Sequence, residues 1–229
     1  MHIETISPGA FESALVHLDP EESFVSEAGA MYRASQNIDI DVTTKSKGKG
    51  GLMSGLKRMV AGESFFLSTY QVTDDQPGEV GLSATLPGQI RTLELDDSSI
   101  WFCTGGSFLG ASPELSLKTK FQGFKGLFSR ESLSFLRVSG AGLLVVSAFG
   151  KIREIEVEEE MTIDTGHVVA YEASLEYEIT KAGSGWIHSF LAGEGFVLRF
   201  RGEGRVLVQS HNPRGFGTPL GLLLPKRKN

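Results

Sequence analysis

Hydrophobic and polar residues alternate with a period of two along most of this chain, which is the pattern of half-buried β-strands. The alternating segments are rich in β-branched and aromatic residues and are bounded by glycine, proline or aspartate. Ten segments show these properties: IDIDVTT, SFFLSTYQV, EVGLSATL, QIRTLEL, SLSFLRV, GLLVVSAF, KIREIEVE, LEYEIT, FVLRFRG and RVLVQS. The pattern predicts an all-β protein.

A threefold repeat runs through this pattern. Residues 14–41, 91–118 and 153–180 align without a gap, and their apolar positions coincide. The same dipeptide lies at one position of every copy: Ala34-Ser35, Ala111-Ser112 and Ala173-Ser174. Unrelated strands could align by chance because they share the same period, but the gapless register and the fixed order of segments favour a true repeat.

A module of this size cannot bury its apolar sheet face alone, and it leaves strand edges open. We therefore expect a single domain over residues 1–229, made of tandem β-sandwich-like repeats that close around a pseudo-threefold axis. The repeats span about 14–90, 91–152 and 153–229. Short helical turns are expected at equivalent places in the repeats, at 52–62, 123–132 and 186–193.

Composition and charge narrow the classes of function. The 229 residues include 40% hydrophobic residues and 28 glycines, as expected of a globular protein with many tight turns. The net charge is −6, so nucleic acid, which binds through clustered Lys and Arg, is not an expected partner. We see neither an export or organelle signal nor a membrane-spanning apolar run, and this predicts a cytoplasmic location.

Motifs for catalysis are missing. Gly50 and Gly55 have the spacing of a phosphate-binding loop, but Leu56 stands where a lysine is required. The five histidines form no pair with metal-ligand spacing, and the single Cys103 excludes a disulfide framework or a multi-cysteine zinc site. We therefore expect no enzymatic activity, cofactor or metal, although a metal site assembled from distant histidines stays an alternative.

One segment, Lys45–Met59, breaks the acidic balance of the chain and combines basic with apolar residues. Such a segment can dock on an anionic membrane surface or in the groove of a protein partner. The alternative is a mobile surface insertion whose Leu and Met side chains cover the core. The candidate interaction residues are Lys45, Lys47, Lys49, Leu52, Met53, Leu56, Lys57, Arg58 and Met59.

Four stretches of the sequence resemble a known family: GGLMSGLKRMVAGESFF (50–66), GSFLGASPELSL (106–117), GHVVAYEASLEYEI (166–179) and FRGEGRVLVQSHNP (200–213). Together they look like the AIM24 family, a domain of unknown function. The resemblance implies three units, each similar to the subunit of the tryptophan RNA-binding attenuation protein, that associate further into homo-oligomers. Eukaryotic members are linked to mitochondrial inner-membrane organisation, and the family offers no catalytic or metal-binding residues.

Three functions are compatible with these observations. The first is a non-enzymatic scaffold or interaction protein that self-associates and acts at the periphery of a membrane or on a protein partner. The second is a small-ligand-binding β-barrel, with or without enzymatic activity. The third is RNA binding, which follows only from analogy with the attenuation protein.

Overall fold

A computed structural model describes residues 1–7, 9, 11–43, 67–122, 133–181 and 196–225 of the chain. The helical turns predicted at 52–62, 123–132 and 186–193 lie outside the described residues, so these predictions stay untested. The described part is dominated by strands, and the all-β prediction is confirmed at that level.

The described residues form 19 strands, a 3-10 turn at Thr165–His167 and one α-helix, α1, at Pro213–Leu223. The strands are β1 His2–Ile6, β2 Ser13–Leu18, β3 Ser23–Glu27, β4 Met31–Ala34, β5 Ile38–Thr43, β6 Leu67–Val72, β7 Gly78–Ser83, β8 Ile90–Leu95, β9 Ile100–Thr104, β10 Phe108–Ala111, β11 Ser116–Gln122, β12 Leu133–Ser139, β13 Gly142–Ser147, β14 Ile152–Val157, β15 Glu160–Asp164, β16 Val168–Glu172, β17 Glu176–Lys181, β18 Phe196–Arg201 and β19 Gly204–Gln209.

These strands form four sheets. Sheet 1 has the order β1-β2-β7-β4, sheet 2 the order β5-β6-β3-β10-β13-β8, sheet 3 the order β11-β12-β9-β16-β19-β14 and sheet 4 the order β15-β18-β17. All strand pairs within them are antiparallel. Within the described ranges the sheets stay separate and do not close into a barrel.

The strand orders of the sheets correspond to one another. Raising every strand number of sheet 2 by six gives the order of sheet 3. Raising its first half by twelve gives sheet 4, and lowering its second half by six gives β4-β7-β2 of sheet 1. Each six-stranded sheet therefore has one junction between two half-sheets, formed by β3 with β10 in sheet 2 and by β9 with β16 in sheet 3.

The turns that enter β2 and β8 make corresponding contacts. Glu12 donates its N–H to the carbonyl of Gly88 at 3.0 Å, and its carboxylate accepts the N–H two residues after Gly88 at 2.7 Å. Gln89 donates to the carbonyl of Gly150 at 2.8 Å, and its side-chain oxygen accepts the N–H two residues after Gly150 at 2.8 Å. One pattern of hydrogen bonds thus holds two different turns in place.

The third aligned segment departs from the gapless register. The side chains of Ser35 and Ser112 each accept a backbone N–H of the neighbouring strand at 2.8 Å. In the third segment Glu172 accepts the corresponding N–H at 2.8 Å, and Ser174 does not. The physical cause is a two-residue turn between β14 and β15, where the turns between β2 and β3 and between β8 and β9 have four residues. The predicted match of Ala173-Ser174 is therefore wrong by two positions.

Buried apolar side chains form one cluster between each consecutive pair of sheets. In the cluster between sheets 3 and 4, the ring of Tyr171 lies 5.2 Å from Phe102, 5.4 Å from Phe135 and 5.2 Å from Phe200. Each buried aromatic side chain contributes roughly 1.5–3 kcal/mol to stability. Among the described buried residues, no such cluster joins sheet 1 to sheet 4.

The C-terminal helix was not predicted from the sequence. Asn212 caps α1 by accepting the N–H groups of Arg214 and Gly215 at 2.9 and 3.4 Å, and Pro213 occupies the first turn. The helix contacts the β-sheets at its beginning, where the ring of Phe216 lies 5.2 Å from the ring of Phe149. No residue of α1 is buried.

Candidate interaction surfaces

The basic segment proposed from the sequence lies outside the described residues. The nine candidates, Lys45, Lys47, Lys49, Leu52, Met53, Leu56, Lys57, Arg58 and Met59, are therefore neither placed together nor separated by the structure. Their role in binding remains a prediction. The described residues offer three other features: a cleft, an exposed apolar helix and two unpaired strand edges.

The cleft has a volume of about 290 Å³ and lies among turns that follow several strands. Its walls are residues 84–86, 104–107 and 147–149, with Glu27, Gln209 and Pro213. Glu27 is the only ionisable side chain among these lining residues. Burial raises the pKa of its carboxyl group above the usual value.

Three other polar side chains of the cleft are engaged in structural hydrogen bonds. The hydroxyl of Ser107 donates to the Val169 carbonyl at 2.7 Å, and that of Thr104 donates to the Val168 carbonyl at 2.8 Å. The side chain of Gln209 accepts the N–H of Phe149 at 2.8 Å and also donates to a backbone carbonyl. These three side chains hold the turns together.

Metal-ligating side chains are not clustered in the described part of the chain. No group of three or more His, Cys, Asp and Glu residues there could hold a metal ion. Cys103 is fully buried, and burial raises the pKa of its thiol to about 12. At neutral pH this thiol stays protonated and is a poor nucleophile and ligand.

The helix α1 presents an apolar surface to solvent. Its exposed apolar residues, with the residue that follows the helix, form what we call the α1 apolar surface: Phe216, Leu220, Leu222, Leu223 and Leu224. Leu222 and Leu223 are 83% and 82% exposed. Large exposed apolar surfaces mark sites of interaction with proteins or membranes.

Among the described residues, each of the four sheets ends in two strands that pair on one side only: β1, β4, β5, β8, β11, β14, β15 and β17. Two of these strands correspond to strands that form a junction in the six-stranded sheets, and we call them the β15 edge, which pairs with β18, and the β4 edge, which pairs with β7. Met161 in β15 is 37% exposed and Tyr32 in β4 is 51% exposed. Unpaired N–H and C=O groups on such edges are templates for pairing with another strand.

Charged side chains on the sheet surfaces accompany both edges. Glu160 of the β15 edge accepts a hydrogen bond from Arg201 at 2.9 Å and lies 3.6 Å from Arg199. Arg33 of the β4 edge lies 3.1 Å from Glu79 on the adjacent strand. These pairs are exposed, and each contributes about 0–1 kcal/mol to stability.

Comparison with known proteins identifies the family. The sequence profile described as "Mitochondrial biogenesis AIM24" matches residues 4–211. The chain belongs to the AIM24 family. This confirms the resemblance to the AIM24 family that four stretches of the sequence indicated.

Relatives of this AIM24 protein include an uncharacterized protein of Streptococcus pyogenes serotype M6. That protein is 33% identical over 223 residues, which cover 94% of this chain and 88% of the relative. The crystal structure of protein SPYM3_0169 from Streptococcus pyogenes has a similar fold, with a TM-score of 0.80 and 29% sequence identity. The similarity covers 97% of this chain and 99% of that chain. Neither name specifies an activity.

Within the described ranges, no helix is both long enough and apolar enough to cross a bilayer.

Proposed function

We propose that this AIM24-family protein is a non-enzymatic scaffold, built of three tandem β-modules, that docks on an anionic membrane surface through the α1 apolar surface. The exposure of all five apolar side chains of that surface carries the proposal. The structural hydrogen bonds of Thr104, Ser107 and Gln209 in the cleft support a role without catalysis.

The modular architecture is supported by the strand orders. Each proposed module has six strands: β2–β7, β8–β13 and β14–β19. The correspondence of strand numbers between sheets 2 and 3 and the matched contacts of Glu12 and Gln89 favour repetition of one unit. This evidence is independent of the Ala-Ser dipeptides. The pseudo-threefold axis remains a prediction.

The composition of α1 argues that the helix depends on an external surface. It contains three glycines and Pro219 within its 11 residues. Relative to alanine, each interior glycine costs about 1 kcal/mol and an interior proline about 3 kcal/mol. No buried residue of α1 offsets this cost. Burial of its leucines against an apolar phase would stabilise the helix by about 0.8 kcal/mol per CH₂ group.

The charge of the C-terminal region favours an anionic membrane as the apolar phase that buries the leucines of α1. No acidic residue follows Glu203, whereas the same stretch contains Arg205, Arg214, Lys226, Arg227 and Lys228. This end is therefore basic in a chain with net charge −6. Near an anionic lipid surface, each Lys or Arg contributes roughly 1 kcal/mol of attraction.

Vesicle co-sedimentation tests the proposal. The protein should pellet with vesicles of phosphatidylcholine and phosphatidylglycerol, and pellet less with phosphatidylcholine alone or at high salt. The variant Leu220→Ser/Leu223→Ser should lose this binding. Phe11→Ser removes an apolar side chain that is 75% exposed outside α1, and it should bind like the wild type. Absence of wild-type binding to the anionic vesicles, or equal binding of the double variant, would contradict membrane docking by α1.

The two alternative functions have less support. A ligand-binding barrel requires a closed sheet, and the sheets of the described residues are separate. RNA binding requires a basic surface, and the net charge of the chain is −6.

A further inference from the structure

The β15 and β4 edges are the unpaired counterparts of strands that pair inside the molecule. By strand number, β15 corresponds to β3 and β9, and β4 corresponds to β10 and β16. Inside the molecule, β3 pairs with β10 and β9 pairs with β16. Sheet 4 therefore contains one half of such a junction, β15, and sheet 1 contains the other half, β4.

We propose that the β15 edge of one chain pairs, antiparallel, with the β4 edge of a second copy of this chain. The proposal rests on the three-module architecture proposed above. A second copy of this chain is the partner that the structure favours, because the new strand pair would repeat the two junctions that the chain already contains. Each molecule has one edge of each kind, so the association is head-to-tail and produces either a closed ring or an open filament.

Both internal junctions share one register. The strands β3, β9 and β15 have five residues each, while β10 and β16 carry a one-residue shift before their third residue. In sheet 2 the fourth residue of β3, Ser26, lies opposite the third residue of β10, Gly110. In sheet 3 the fourth residue of β9, Cys103, lies opposite the third residue of β16, Ala170. Both junctions thus follow one rule: the fourth residue of the first strand lies opposite the third residue of the second strand.

The rule predicts the pairing between copies. The fourth residue of β15 is Ile163, and the third residue of β4, after the same one-residue shift, is Arg33. Ile163 should therefore lie opposite Arg33 of the second copy. Two positions further along, Met161 should lie opposite Ser35.

Exposure supports the pairing. The second residues of β3 and β9, Phe24 and Trp101, are buried, whereas the corresponding Met161 is 37% exposed. The second residue of β10, Leu109, is buried, whereas the corresponding Tyr32 is 51% exposed. Apolar side chains are thus exposed at the positions that the internal junctions cover.

The side chains at the two edges are also sterically compatible. A Cβ added at Gly110 would lie 2.4 Å from the ring of Phe24, so an aromatic residue here requires a small residue at the diagonal position of the facing strand. At the free edges an unbranched methionine, Met161, takes the place of the aromatic residue. Its flexible side chain leaves room for Arg33, whose aliphatic stem can pack beside it.

A disulfide between copies tests the register. The N–H of Ala173 donates to the carbonyl of Ile100 at 2.9 Å across the junction in sheet 3, which marks a hydrogen-bonded pair. The next pair, Glu172 with Trp101, is therefore of the non-hydrogen-bonded kind, whose Cα atoms lie about 4.5 Å apart. Disulfides form at that separation. The equivalent pair between copies is Ser35 with Met161.

The experiment mixes the single variants Ser35→Cys and Met161→Cys under mild oxidation. We expect a covalent dimer on a non-reducing gel. Ser35→Cys mixed with Thr162→Cys is the matched control, because these side chains would lie on opposite faces of the sheet and should cross-link far less. The buried Cys103 should not compete.

Mass measurement provides an independent test. By analytical ultracentrifugation the wild type should have a mass that is a multiple of 24.8 kDa. Thr162→Pro removes an N–H that, by the same alternation, points away from β18, so it should leave the fold intact and reduce the mass to that of one chain. A thermal melt that matches the wild type checks the fold.

Several results would overturn the pairing. They are a wild-type mass of one chain, an unchanged mass in folded Thr162→Pro, and equal cross-linking of the control pair. A disulfide within single molecules of the double variant Ser35→Cys/Met161→Cys would also overturn it, since the edges would then close inside one chain. Leu220→Ser/Leu223→Ser should keep the wild-type mass and cross-link, which separates this pairing from membrane docking.

Discussion

The junction between β3 and β10 allows a sharp test of how the two halves of sheet 2 are joined. Gly110 faces the ring of Phe24, and a Cβ built there would lie 2.4 Å from a ring carbon and 2.8 Å from the carbonyl oxygen of Val25. Neither contact is tolerable without a shift of the junction. The equivalent residue in sheet 3 is Ala170, so the fold itself accepts a Cβ at this position when the opposite strand allows it.

Overpacking of a well-packed site costs about 1–3 kcal/mol. The variant Gly110→Ala should therefore lower the free energy of unfolding by that amount. For a chain of this length, this corresponds to a fall in melting temperature of roughly 2–10 °C. Calorimetry or a circular dichroism melt would measure it.

A second substitution shows whether the cost comes from the ring. Phe24→Leu shortens the side chain that the new methyl group would meet, so Gly110→Ala should cost less in the Phe24→Leu background than in the wild type. The rescue should be partial, because the carbonyl of Val25 remains in place. The reverse change, Ala170→Gly, should lower stability only by about 0.5–1 kcal/mol through backbone entropy. An unchanged melting temperature in Gly110→Ala would refute the close approach of β10 to β3.

Three further predictions follow from single side chains. Burial raises the pKa of the Glu27 carboxyl group, so the folded chain holds this proton more tightly than the unfolded chain. Stability therefore falls as the pH rises through the range in which Glu27 loses its proton. Glu27→Gln should accordingly raise the melting temperature at neutral pH but not below about pH 4, and a gain that is equal at both pH values would contradict this. Glu172 accepts hydrogen bonds from the backbone N–H and the guanidinium of Arg205 at 2.8 and 2.6 Å. Glu172→Ala should therefore lower the free energy of unfolding, measured with denaturant, by about 1–3 kcal/mol. Glu172→Ser, which imitates Ser35 and Ser112, should lower it less. Cys103, whose thiol has a pKa of about 12, should react with thiol reagents only as fast as the protein unfolds, and rapid labelling of the native protein would show that it is not buried.

The alternation of polar and apolar residues was sufficient to find many of the strands. Segments such as GLLVVSAF and KIREIEVE coincide with β13 and β14. The β13 segment is a continuous apolar run because both faces of that strand are buried, with Leu144 and Val146 in one cluster and Val145 in another. The order of strands within the sheets was beyond this reasoning. Periodicity reports which face of a strand is buried, but it carries no information on which distant strand lies beside it.

The register of the third aligned segment, residues 153–180, shows a second limit. Ala173-Ser174 matched the other dipeptides in letters, yet Glu172 makes the equivalent hydrogen bond. A carboxylate can replace a hydroxyl as an acceptor, so identity of residue type was a poor guide to position. The shorter turn before β15 was visible as a signal, since Glu158 and Glu159 stand where the other segments have four residues, DPEE at 19–22 and DDSS at 96–99.

The candidate site was the least predictable part. The helix α1 was missed because its glycines and Pro219 conceal the helical pattern. Asn212 followed by Pro213 was a recognisable start signal, since Asn caps helices and Pro favours their first turn. The β4 and β15 edges could not be foreseen, because the alternation of residues does not report which strands have a second neighbour.

The two internal junctions also divide the molecule by resistance to local opening. Strands β9 and β10 each belong to a junction, whereas β4 and β15 belong to none. A strand hydrogen-bonded on both sides opens only when its pairing with two neighbouring strands is disrupted, while a strand at an edge can fray alone. Amide hydrogens of the junction strands β3, β9, β10 and β16 should therefore exchange with deuterium more slowly than those of β4 and β15. Unfolding under mild conditions should accordingly begin at the outer sheets and reach the middle last.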